Sequence, residues 1–517
     1  MSPTSSRKNH LALASVCLAA LMFGLEISSV PVILPTLERL LHGDLKDLQW
    51  VMNAYTIACT TVLMAAGTLA DRYGRKRLFM ITLSCFGAAS LVCGIATSMP
   101  VLIASRFLQG ISGGAMLISL LAILSSQFRD QHERSRAFGA FGIVFGAGLG
   151  FGPLVGGAIA ALLSWEWVFL VHVPLSLLTL LLTAAGVRES RDAGAGRLDL
   201  AGIVTLSLAV FGLTYCVTQG AELGLTSAAG IAISGITVLS FAAFLYVENT
   251  RAHPMFDFSV FRIRDFSGAL LGAVGMNFSF WPLMIYLPLY YQSVLGHGAV
   301  EAGLYLLAYT LPTLVVPPFA ERLSLRYRPG VVIPVGLLMI GLGFIAMWRG
   351  CTIDGASWLS MLPGCLLAGS GVGLTNTPVT NTTTGAVPAG RAGMASGIDM
   401  SARLITLAFN IAVMGLLLQE SVLSYLRQRL AGDIAQAQLR GAAEAVAAGN
   451  LAQGAARLSA DGAHAALAQS ALAHGFAALM LYGGIGVCLL AALSLAVFGI
   501  RCPAARAIRP EAGGQCG

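Results

Sequence analysis

Long apolar stretches, separated by short polar loops, run through the whole chain and restrict its fold more than any other feature. Charged residues make up 11% of the 517 residues and hydrophobic residues 56%. A soluble domain normally carries about 25% charged residues. One helix needs about 20 apolar residues to cross the hydrocarbon core of a bilayer. The pattern therefore predicts a polytopic membrane protein.

The apolar stretches predict about fourteen membrane-spanning helices and an all-α fold. Glycine and proline are common inside them, which is tolerated in lipid because neighbouring helices satisfy the freed backbone groups. The predicted spans are 13–37, 50–70, 78–98, 101–125, 137–162, 166–187, 199–219, 228–247, 266–291, 301–320, 331–348, 358–377, 400–420 and 475–499.

Arginine and lysine predict the orientation of the chain. If the spans alternate from a cytoplasmic N-terminus, most of the 31 basic residues fall in cytoplasmic segments. This excess favours an even number of spans with both termini in the cytoplasm. The net charge of +7 then reflects membrane orientation and not nucleic-acid binding. The first apolar run contains Glu26 and is interpreted as an uncleaved span, not a signal peptide.

The sequence shows no pattern typical of a metal or cofactor site. The ten cysteines include no CxxC pair and no metal-ligand spacing. No Gly-Lys dipeptide occurs, so a phosphate-binding loop for ATP is not expected. We therefore expect no cofactor, and a proton gradient is the expected energy source. A membrane enzyme is disfavoured because no intramembrane carboxylate pair or histidine cluster is evident.

An acid followed by an arginine occurs at matching places in two parts of the chain, at Asp71-Arg72 and Glu321-Arg322. This similarity suggests a duplication. It predicts an N-terminal six-helix half at 1–198, a two-helix insertion at 199–250 and a C-terminal half at 251–517. A long outer loop at 421–474 is predicted to be a surface helix or flexible connector, with a gating or partner-binding role as the alternative.

The loop between spans 2 and 3 resembles the signature of the major facilitator superfamily. That resemblance implies two six-helix halves and a conformational gate, in which Asp71 accepts hydrogen bonds from a helix N-terminus and the basic residues pair with acids. An ordinary positively charged cytoplasmic loop is the alternative. The gating residues are Gly67, Asp71, Arg72, Gly74, Arg75 and Lys76.

Span 4 contains Arg106, followed by Gln109 and Gly110, and resembles the second motif of the superfamily. A charged residue inside a membrane is costly and must face protein, water or an acid. The resemblance implies a role for Arg106 in proton coupling. A structural arginine bonded to backbone carbonyls is the alternative.

Span 5 resembles the superfamily's antiporter motif, G-x-x-x-G-P-x-x-G-G. Its residues are Gly148, Gly152, Pro153, Gly156 and Gly157. Three of the glycines share one helical face and allow another helix to approach closely, and the proline can bend the helix. The resemblance implies an exporter whose pathway is sealed against proton leak. A plain packing motif is the alternative.

The run from Leu25 to Pro35 resembles a signature of the fourteen-span drug:proton antiporters, with Glu26 for the usual Asp and Pro31 for the usual Asn. Burial of a lone carboxylate favours its protonated form, so Glu26 can take up and release protons. A cationic substrate would compete for it. The alternative is a structural partner of a helix or an arginine.

Further polar and aromatic residues are candidates for a substrate cavity. His172 stands where the same family has Asn, and either titrates or is bonded within the core. The aromatic residues of span 9 can stack on flat substrates or bind cations, or form an interfacial belt. The complete candidate set is Glu26, His172, Asn277, Phe280, Trp281, Tyr286, Tyr290, Gln292, Asn376 and Arg403.

Together these features predict a proton-coupled exporter of small organic compounds, multidrug or lipophilic and cationic in type, that works by alternating access. The resemblance implies a location in the bacterial inner membrane, contact with membrane lipid and function as a monomer. The alternative is a transporter for one physiological solute, such as a metabolite, amino acid or siderophore, with drug efflux incidental.

Overall fold

A computed structural model describes most of the chain. The described residues are 3–41, 45–128, 130–191, 200–224, 227–250, 258–353, 355–388, 392–430, 435–458 and 464–499.

The described residues form α-helices throughout, without a β-strand. A 3-10 helix covers Phe258–Arg262, and a π-helical turn covers Tyr290–Val294. The α-helices are α1 Pro3–Leu41, α2 Leu45–Tyr73, α3 Arg75–Gly94, α4 Met99–Gln127, α5 Gln131–Leu162, α6 Trp167–Leu170, α7 His172–Gly186, α8 Leu200–Leu223, α9 Ala228–Thr250, α10 Arg264–Leu289, α11 Ala299–Val315, α12 Pro317–Tyr327, α13 Pro329–Thr352, α14 Trp358–Gly385, α15 Ala392–Arg429, α16 Gln436–Ala447, α17 Leu451–Leu458 and α18 Ala465–Phe498.

Twelve stretches of the described helices are long and apolar enough to cross a membrane, in agreement with a polytopic all-α protein. A thirteenth is obtained if the two parts of α2, Trp50–Leu63 and Ala65–Tyr73, count as one span bent by 51°. The described helix at the predicted seventh span has a shorter apolar stretch, Leu200–Leu213. This is less than the roughly 20 residues that a span needs. The count of fourteen is therefore approximate.

Three predicted spans are built from more than one helical element, and the sixth predicted span is divided between α6 and α7. The tenth is interrupted where Pro317 begins α12, a first-turn position that suits proline because its missing N–H has no helical partner there. The ninth continues from α10 into the π-helical turn at Tyr290–Val294. In all three spans the regular α-helix is interrupted near one end of the span.

The helices pack as two bundles with a helix pair between them. Helix α1 packs on α4, α5 and α7 in an N-terminal bundle of α1–α7, and α13 packs on α14 and α18 in a C-terminal bundle of α10–α18. The bundles meet where α5 contacts α11 and where α2 contacts α15. Helices α8 and α9 pack on each other, and α8 also contacts α2 and α15. Residues 192–199 and 251–257, which contain the predicted domain boundaries, lie outside the described part.

The long outer loop contains two packed helices, α16 and α17. Leu439, Val446 and Leu458 are buried in the hydrophobic core. The Ser293 hydroxyl of the π-helical turn donates a hydrogen bond to the Gly449 carbonyl at 3.2 Å. In the described residues this segment is therefore a helical hairpin that rests on the C-terminal bundle, and its role stays a prediction.

Candidate functional site

Glu26 and Arg106 form a buried ion pair between α1 and α4. Arg106 Nη1 donates to Glu26 Oε1 and, at 2.7 Å, to Gln109 Oε1. Its Nε donates to the Val51 carbonyl at 3.0 Å, and its guanidinium carbon lies 4.5 Å from the centre of the Tyr55 ring. Both charged side chains are 0% exposed. The expectation of a lone carboxylate is thus replaced by a charge-paired one.

His172 lies against the same carboxylate. Its Nδ1 is 3.4 Å from Glu26 Oε2, and its Nε2 is 3.2 Å from the carbonyl oxygen of Met22 on α1. The ring of Phe86 packs edge-on against the imidazole at 5.7 Å between centroids. We call Glu26, Arg106, Gln109 and His172 the acid–base cluster. Helices α1, α4 and α7 each contribute to it, so it depends on their packing.

Two members of this environment were not among the sequence candidates. The Gln109 amide joins Arg106 to α3, because its Nε2 donates to the Ser90 hydroxyl at 2.8 Å. Gln109 follows Arg106 by three residues on a helix, which indicates that both side chains share one face. The sequence therefore contained a signal that Gln109 lies near Arg106. Tyr55 stacks its ring face on the guanidinium from α2, and nothing in the local sequence predicts this contact.

The glycines of the antiporter motif pack α5 closely on α1. A Cβ atom at Gly148 would lie 2.8 Å from the Leu21 carbonyl oxygen, and one at Gly156 would lie 2.6 Å from Cβ of Ser29. The Ser28 hydroxyl also donates to the Gly148 carbonyl at 3.1 Å. These contacts are closer than any larger residue allows. The glycine face therefore allows α5 to pack closely against α1, the helix that carries Glu26.

The other two glycines of the motif differ in how closely they are packed. A Cβ atom at Gly152 would collide with the Ser28 side chain, whereas one at Gly157 would stay 3.6 Å from Val32. Helix α5 continues through Pro153 to Leu162. Elsewhere on α5, a Cβ at Gly150 would lie 3.1 Å from Thr310 of α11. Helix α5 thus contacts α1 within its own bundle and α11 across the boundary between the bundles.

The loop between α2 and α3 is ordered by an acid that the sequence did not single out. Asp71 was expected to accept hydrogen bonds from a helix N-terminus, but it pairs with Arg75 at 2.7 Å. Glu189 takes that place, since its carboxylate accepts the backbone N–H groups of Lys76 and Arg77 at 3.1 Å each. An acid at a helix N-terminus is favourable because the helix dipole is positive there.

The other predicted loop residues have separate surroundings. Lys76 Nζ donates to the Ala184 carbonyl at 2.9 Å. The Arg72 guanidinium carbon lies 5.7 Å from the Tyr73 ring centre. A Cβ at Gly67 would meet Ile118 only at 3.6 Å.

Gly74 precedes α3 with φ = 110°, ψ = 130°. This region is essentially restricted to glycine. Arg328 precedes α13 in the C-terminal bundle with φ = 70°, ψ = 147°. It is the one non-glycine residue with positive φ among the described residues. The same backbone turn follows the acid–arginine sequence in both bundles, which agrees with a duplicated motif.

The aromatic candidates of α10 divide into separate environments. Trp281 donates its indole N–H to Asn277 Oδ1 at 2.9 Å, and the rings of Trp281 and Tyr309 lie 5.4 and 5.6 Å from that of Phe280. Phe280 and Trp281 at the middle of α10, Tyr309 of α11 and the Asn277 amide thus form one group, which we call the aromatic group. It is buried and contains one polar amide, a combination that suits flat organic molecules.

The candidates nearer the C-terminal end of α10 do not join this group. Tyr286 donates its hydroxyl to the Ile411 carbonyl at 3.1 Å, and Tyr290 stacks on Phe476 with 4.3 Å between ring centroids. Gln292 is exposed. At 1.5 Å per residue, the fifteen residues between positions 277 and 292 span about 22 Å. The predicted candidates therefore cannot all line one compact site.

Asn376 and Arg403 meet in a second charged cluster, in the C-terminal bundle. Arg403 donates to Asn376 Oδ1 at 2.8 Å and to the Thr380 hydroxyl at 3.0 Å, both on α14. It also pairs with Asp399, four residues earlier on α15, at 3.2 Å. Asp399 was missed because the predicted span begins at 400, whereas α15 begins at Ala392.

An apolar cavity of about 420 Å³ lies between α8, α10, α15 and α18. It has the size of small-molecule pockets in general. None of the predicted cavity candidates lines it. The lining residues are Leu213, Val274, Phe278, Ile405, Thr406, Phe409, Gly486, Leu489, Leu490 and Leu493. Among the described residues, no group of three or more His, Cys, Asp or Glu side chains is arranged to hold a metal ion.

Comparison with known proteins gives consistent results. The family model of the Major Facilitator Superfamily matches residues 16–410. The chain is 33% identical over 410 residues to the multidrug resistance protein Stp of Mycobacterium tuberculosis (strain CDC 1551 / Oshkosh), with 79% of this chain and 76% of that protein covered. It is 31% identical over 421 residues to the tetracenomycin C resistance and export protein of Streptomyces glaucescens, with 79% and 76% covered.

The fold is also similar to a solved structure. The crystal structure of the human organic anion transporter MFSD10 (TETRAN) matches with a TM-score of 0.60 and 15% sequence identity. The match covers 96% of this chain and 100% of that one. At this identity the similarity concerns the fold alone.

Proposed function

The chain belongs to the Major Facilitator Superfamily, and from this we propose that it is a proton-coupled exporter of lipophilic and cationic organic compounds. It works as a monomer by alternating access in the bacterial inner membrane, with both termini in the cytoplasm. Inward proton movement supplies the energy. The observation that carries the proposal is the acid–base cluster, in which Glu26 and Arg106 are fully buried inside membrane-spanning helices.

The substrate class is supported by the relatives and by the middle of α10. The two relatives are named for multidrug resistance and for resistance to and export of tetracenomycin C. In this chain, Phe280, Trp281 and Tyr309 supply ring faces that can stack on flat molecules and attract cations. Asn277 adds a polar group for orientation. We propose that this aromatic group contacts the exported compound.

Coupling follows from the charges of the acid–base cluster. While Glu26 is ionised it neutralises Arg106, and the pair can stay buried. A proton taken up at this site leaves a net positive charge, which is costly in a membrane interior. The proton-loaded protein therefore favours a conformation in which the cluster reaches water and the proton can leave. A cationic substrate disfavours proton binding by the same repulsion, and this competition couples the two movements.

Alternating access requires the two bundles to move against each other. The contacts that must change are those between α5 and α11 and between α2 and α15. Transporters of repeated architecture hold substrate near the midplane where their halves meet. We propose that the glycine contacts of α5 on α1 keep water, and hence leaking protons, away from Glu26. The Asp71–Arg75 pair and the Glu189 cap then act at the cytoplasmic loop as gating contacts.

The test is ethidium flux in proteoliposomes under an imposed pH gradient, for the wild type and Glu26→Gln. Glu301→Gln is the matched control, because Glu301 also contacts a histidine, His297, at 3.2 Å but is 57% exposed at a helix end. We expect gradient-driven flux in the wild type and in Glu301→Gln, and none in Glu26→Gln. Counterflow of ethidium without a pH gradient should persist in Glu26→Gln, which shows that the variant is folded and still binds.

Two outcomes would contradict the proposal. Equal gradient-driven flux in Glu26→Gln and the wild type would remove Glu26 from the coupling mechanism. No gradient-driven flux of ethidium or of other lipophilic cations by the wild type would exclude this substrate class.

A further inference from the structure

Two buried polar atoms of the acid–base cluster face each other without forming a hydrogen bond. Glu26 Oε2 and His172 Nδ1 are 3.4 Å apart. Each is among the buried side-chain atoms that lack a hydrogen-bond partner in the described part of the chain. Glu26 is 0% and His172 1% exposed. An unsatisfied buried polar atom is costly, so two that point at each other call for a physical explanation.

The other contacts of both residues show which atoms carry hydrogens. His172 Nε2 faces the Met22 carbonyl oxygen at 3.2 Å, and a carbonyl can only accept, so Nε2 carries the hydrogen. In a neutral imidazole Nδ1 is then a bare acceptor. Glu26 Oε1 accepts from Arg106, and in an ionised carboxylate the second oxygen, Oε2, is an acceptor too. Two lone pairs consequently face each other across the gap.

We propose that Glu26 Oε2 and His172 Nδ1 together bind one proton, and that this dyad, not Glu26 alone, is the proton site of the transporter. One added proton satisfies both atoms with an N–H···O or O–H···N hydrogen bond. Such bonds are about 2.7–2.9 Å long when one partner is charged, so loading needs a movement of about half an ångström. The inference rests on the proposed function only in assigning this proton to transport.

The surroundings explain why the histidine is needed. Arg106 donates to Oε1 of Glu26, so that oxygen is already occupied by a hydrogen bond. His172 offers a second basic atom at the far side of the same carboxylate. The cluster then alternates between no net charge without the proton and one positive charge with it. This is the change that the coupling mechanism requires.

Few other titratable or charged groups face the dyad among the described residues. Helix α4 contributes the charged group of Arg106. Helix α2 contributes Tyr55, whose ring covers the Arg106 guanidinium. From α3 it is Cys93, whose thiol donates to Gln109 Oε1 at 3.7 Å. Helix α5 contacts α1 through glycines and the Phe145 ring, and α6 contributes the Phe169 ring near Arg106. Protonation at this site is therefore decided mainly by Glu26, His172 and Arg106.

The direct test locates the proton by spectroscopy on the full-length protein in nanodiscs. The chain has eight histidines, so ¹⁵N-histidine labelling with His172→Asn identifies the signal of His172 by its loss. Infrared spectra of the wild type minus Glu26→Gln report whether Glu26 is ionised. If His172→Asn does not fold, His172→Gln replaces it for the assignment. His297→Asn is the matched control, since His297 makes the same Nδ1–Oε2 contact with Glu301 in an exposed position.

We expect, as the pH falls, one proton to appear either on His172 Nδ1 or on Glu26, and Glu26→Gln to abolish this step at His172. His297→Asn should leave it unchanged. The inference is overturned if His172 stays neutral with a bare Nδ1 while Glu26 stays ionised throughout the range in which the protein is folded. It is also overturned if Glu26 takes up the proton equally well in His172→Asn.

Transport measurements separate this inference from the proposed function. If the dyad carries the transported proton, His172→Asn should lose gradient-driven ethidium flux but retain counterflow, as Glu26→Gln does. A shared proton in the spectra of a wild type without gradient-driven flux would support the dyad and contradict the proposed function. Gradient-driven flux that survives in His172→Asn would support the exporter and contradict the dyad.

Discussion

Among the described residues, a buried acid–arginine pair occurs in the N-terminal bundle and another in the C-terminal bundle, and the two are built differently. In the N-terminal bundle Glu26 and Arg106 come from α1 and α4, 80 residues apart, and are 0% exposed. In the C-terminal bundle Asp399 and Arg403 lie four residues apart on α15, with side chains 3% and 8% exposed. A pair between two helices changes when those helices move relative to each other. A pair within one helix moves as a unit and is preserved.

This difference indicates which of the two pairs changes when the conformation of the protein changes. The acid–base cluster links three helices and contains unsatisfied acceptors, so its energy depends on both protonation and helix position. The pair on α15 is completed by Asn376 and Thr380 of α14, and its guanidinium has partners on several sides. We infer that the first pair serves coupling and the second holds α14 against α15. The following predictions test this comparison.

The largest effect is expected from Arg106→Ala, compared with Arg403→Ala. Removing one member of a fully buried pair costs about 3–5 kcal/mol of stability, and gradient-driven flux should be lost. The double variant Glu26→Gln/Arg106→Gln should recover part of the stability, since no charge remains unpaired, but not the flux. Thermal unfolding in detergent and ethidium flux measure both quantities. Similar losses of flux in Arg403→Ala would refute the distinction between the two pairs.

A smaller effect is expected from Asp399→Asn. It removes the counter-ion of Arg403, but Asn376, Thr380 and the new amide still bond to the guanidinium. The loss should be about 1.5–3 kcal/mol, as for a hydrogen bond to a charged group. Flux per folded molecule should keep its dependence on the pH gradient, which a titration of flux against imposed gradient tests. A changed number of protons per ethidium would instead place Asp399 in the coupling mechanism.

Glycine contacts give a third comparison, between Gly148→Ala and Gly343→Ala. A Cβ at Gly343 would lie 2.6 Å from the Ala368 nitrogen, a clash comparable to that at Gly148. Each substitution should destabilise its bundle by about 1–3 kcal/mol through overpacking. Only Gly148→Ala should also raise proton leak without substrate, because it separates α5 from α1.

A pH-sensitive dye inside proteoliposomes measures that leak. Gly157→Ala is the control within the same motif, since its Cβ would meet Val32 at an ordinary 3.6 Å. Equal leak in Gly148→Ala and Gly157→Ala would mean that close packing of α5 on α1 does not seal the pathway.

The smallest effect is expected at the repeated turn before α3 and α13. Arg328→Gly should stabilise the protein by roughly 1 kcal/mol, because relief of a strain of about 1–3 kcal/mol exceeds the entropic cost of glycine. Gly74→Ala should destabilise it, since its Cβ would also lie 2.7 Å from the Glu189 carboxylate. Thermal unfolding of both variants tests whether their changes in stability have opposite signs. Destabilisation by Arg328→Gly would show that the arginine side chain outweighs the backbone strain.

The helical spans were predictable because a bilayer requires long apolar segments. Each such segment can be recognised from its own residues alone. Their ends were less predictable, as α15 illustrates. Its first turns contain Asp399 and Arg403, which lower the local hydropathy, yet the two charges pair and remain in the helix. The position of Asp399 within the span therefore follows from a contact and not from apolarity.

Among the site residues, the sequence alone determined that Glu26 and Arg106 must have special roles, because charged side chains inside a membrane need a partner or water. It also determined that the face of Gly148, Gly152 and Gly156 must meet another helix. Only the tertiary structure decided that Glu26 meets both Arg106 and His172, and that α5 meets α1. The physical reason is that contacts between distant segments depend on how whole helices pack, which no local pattern contains.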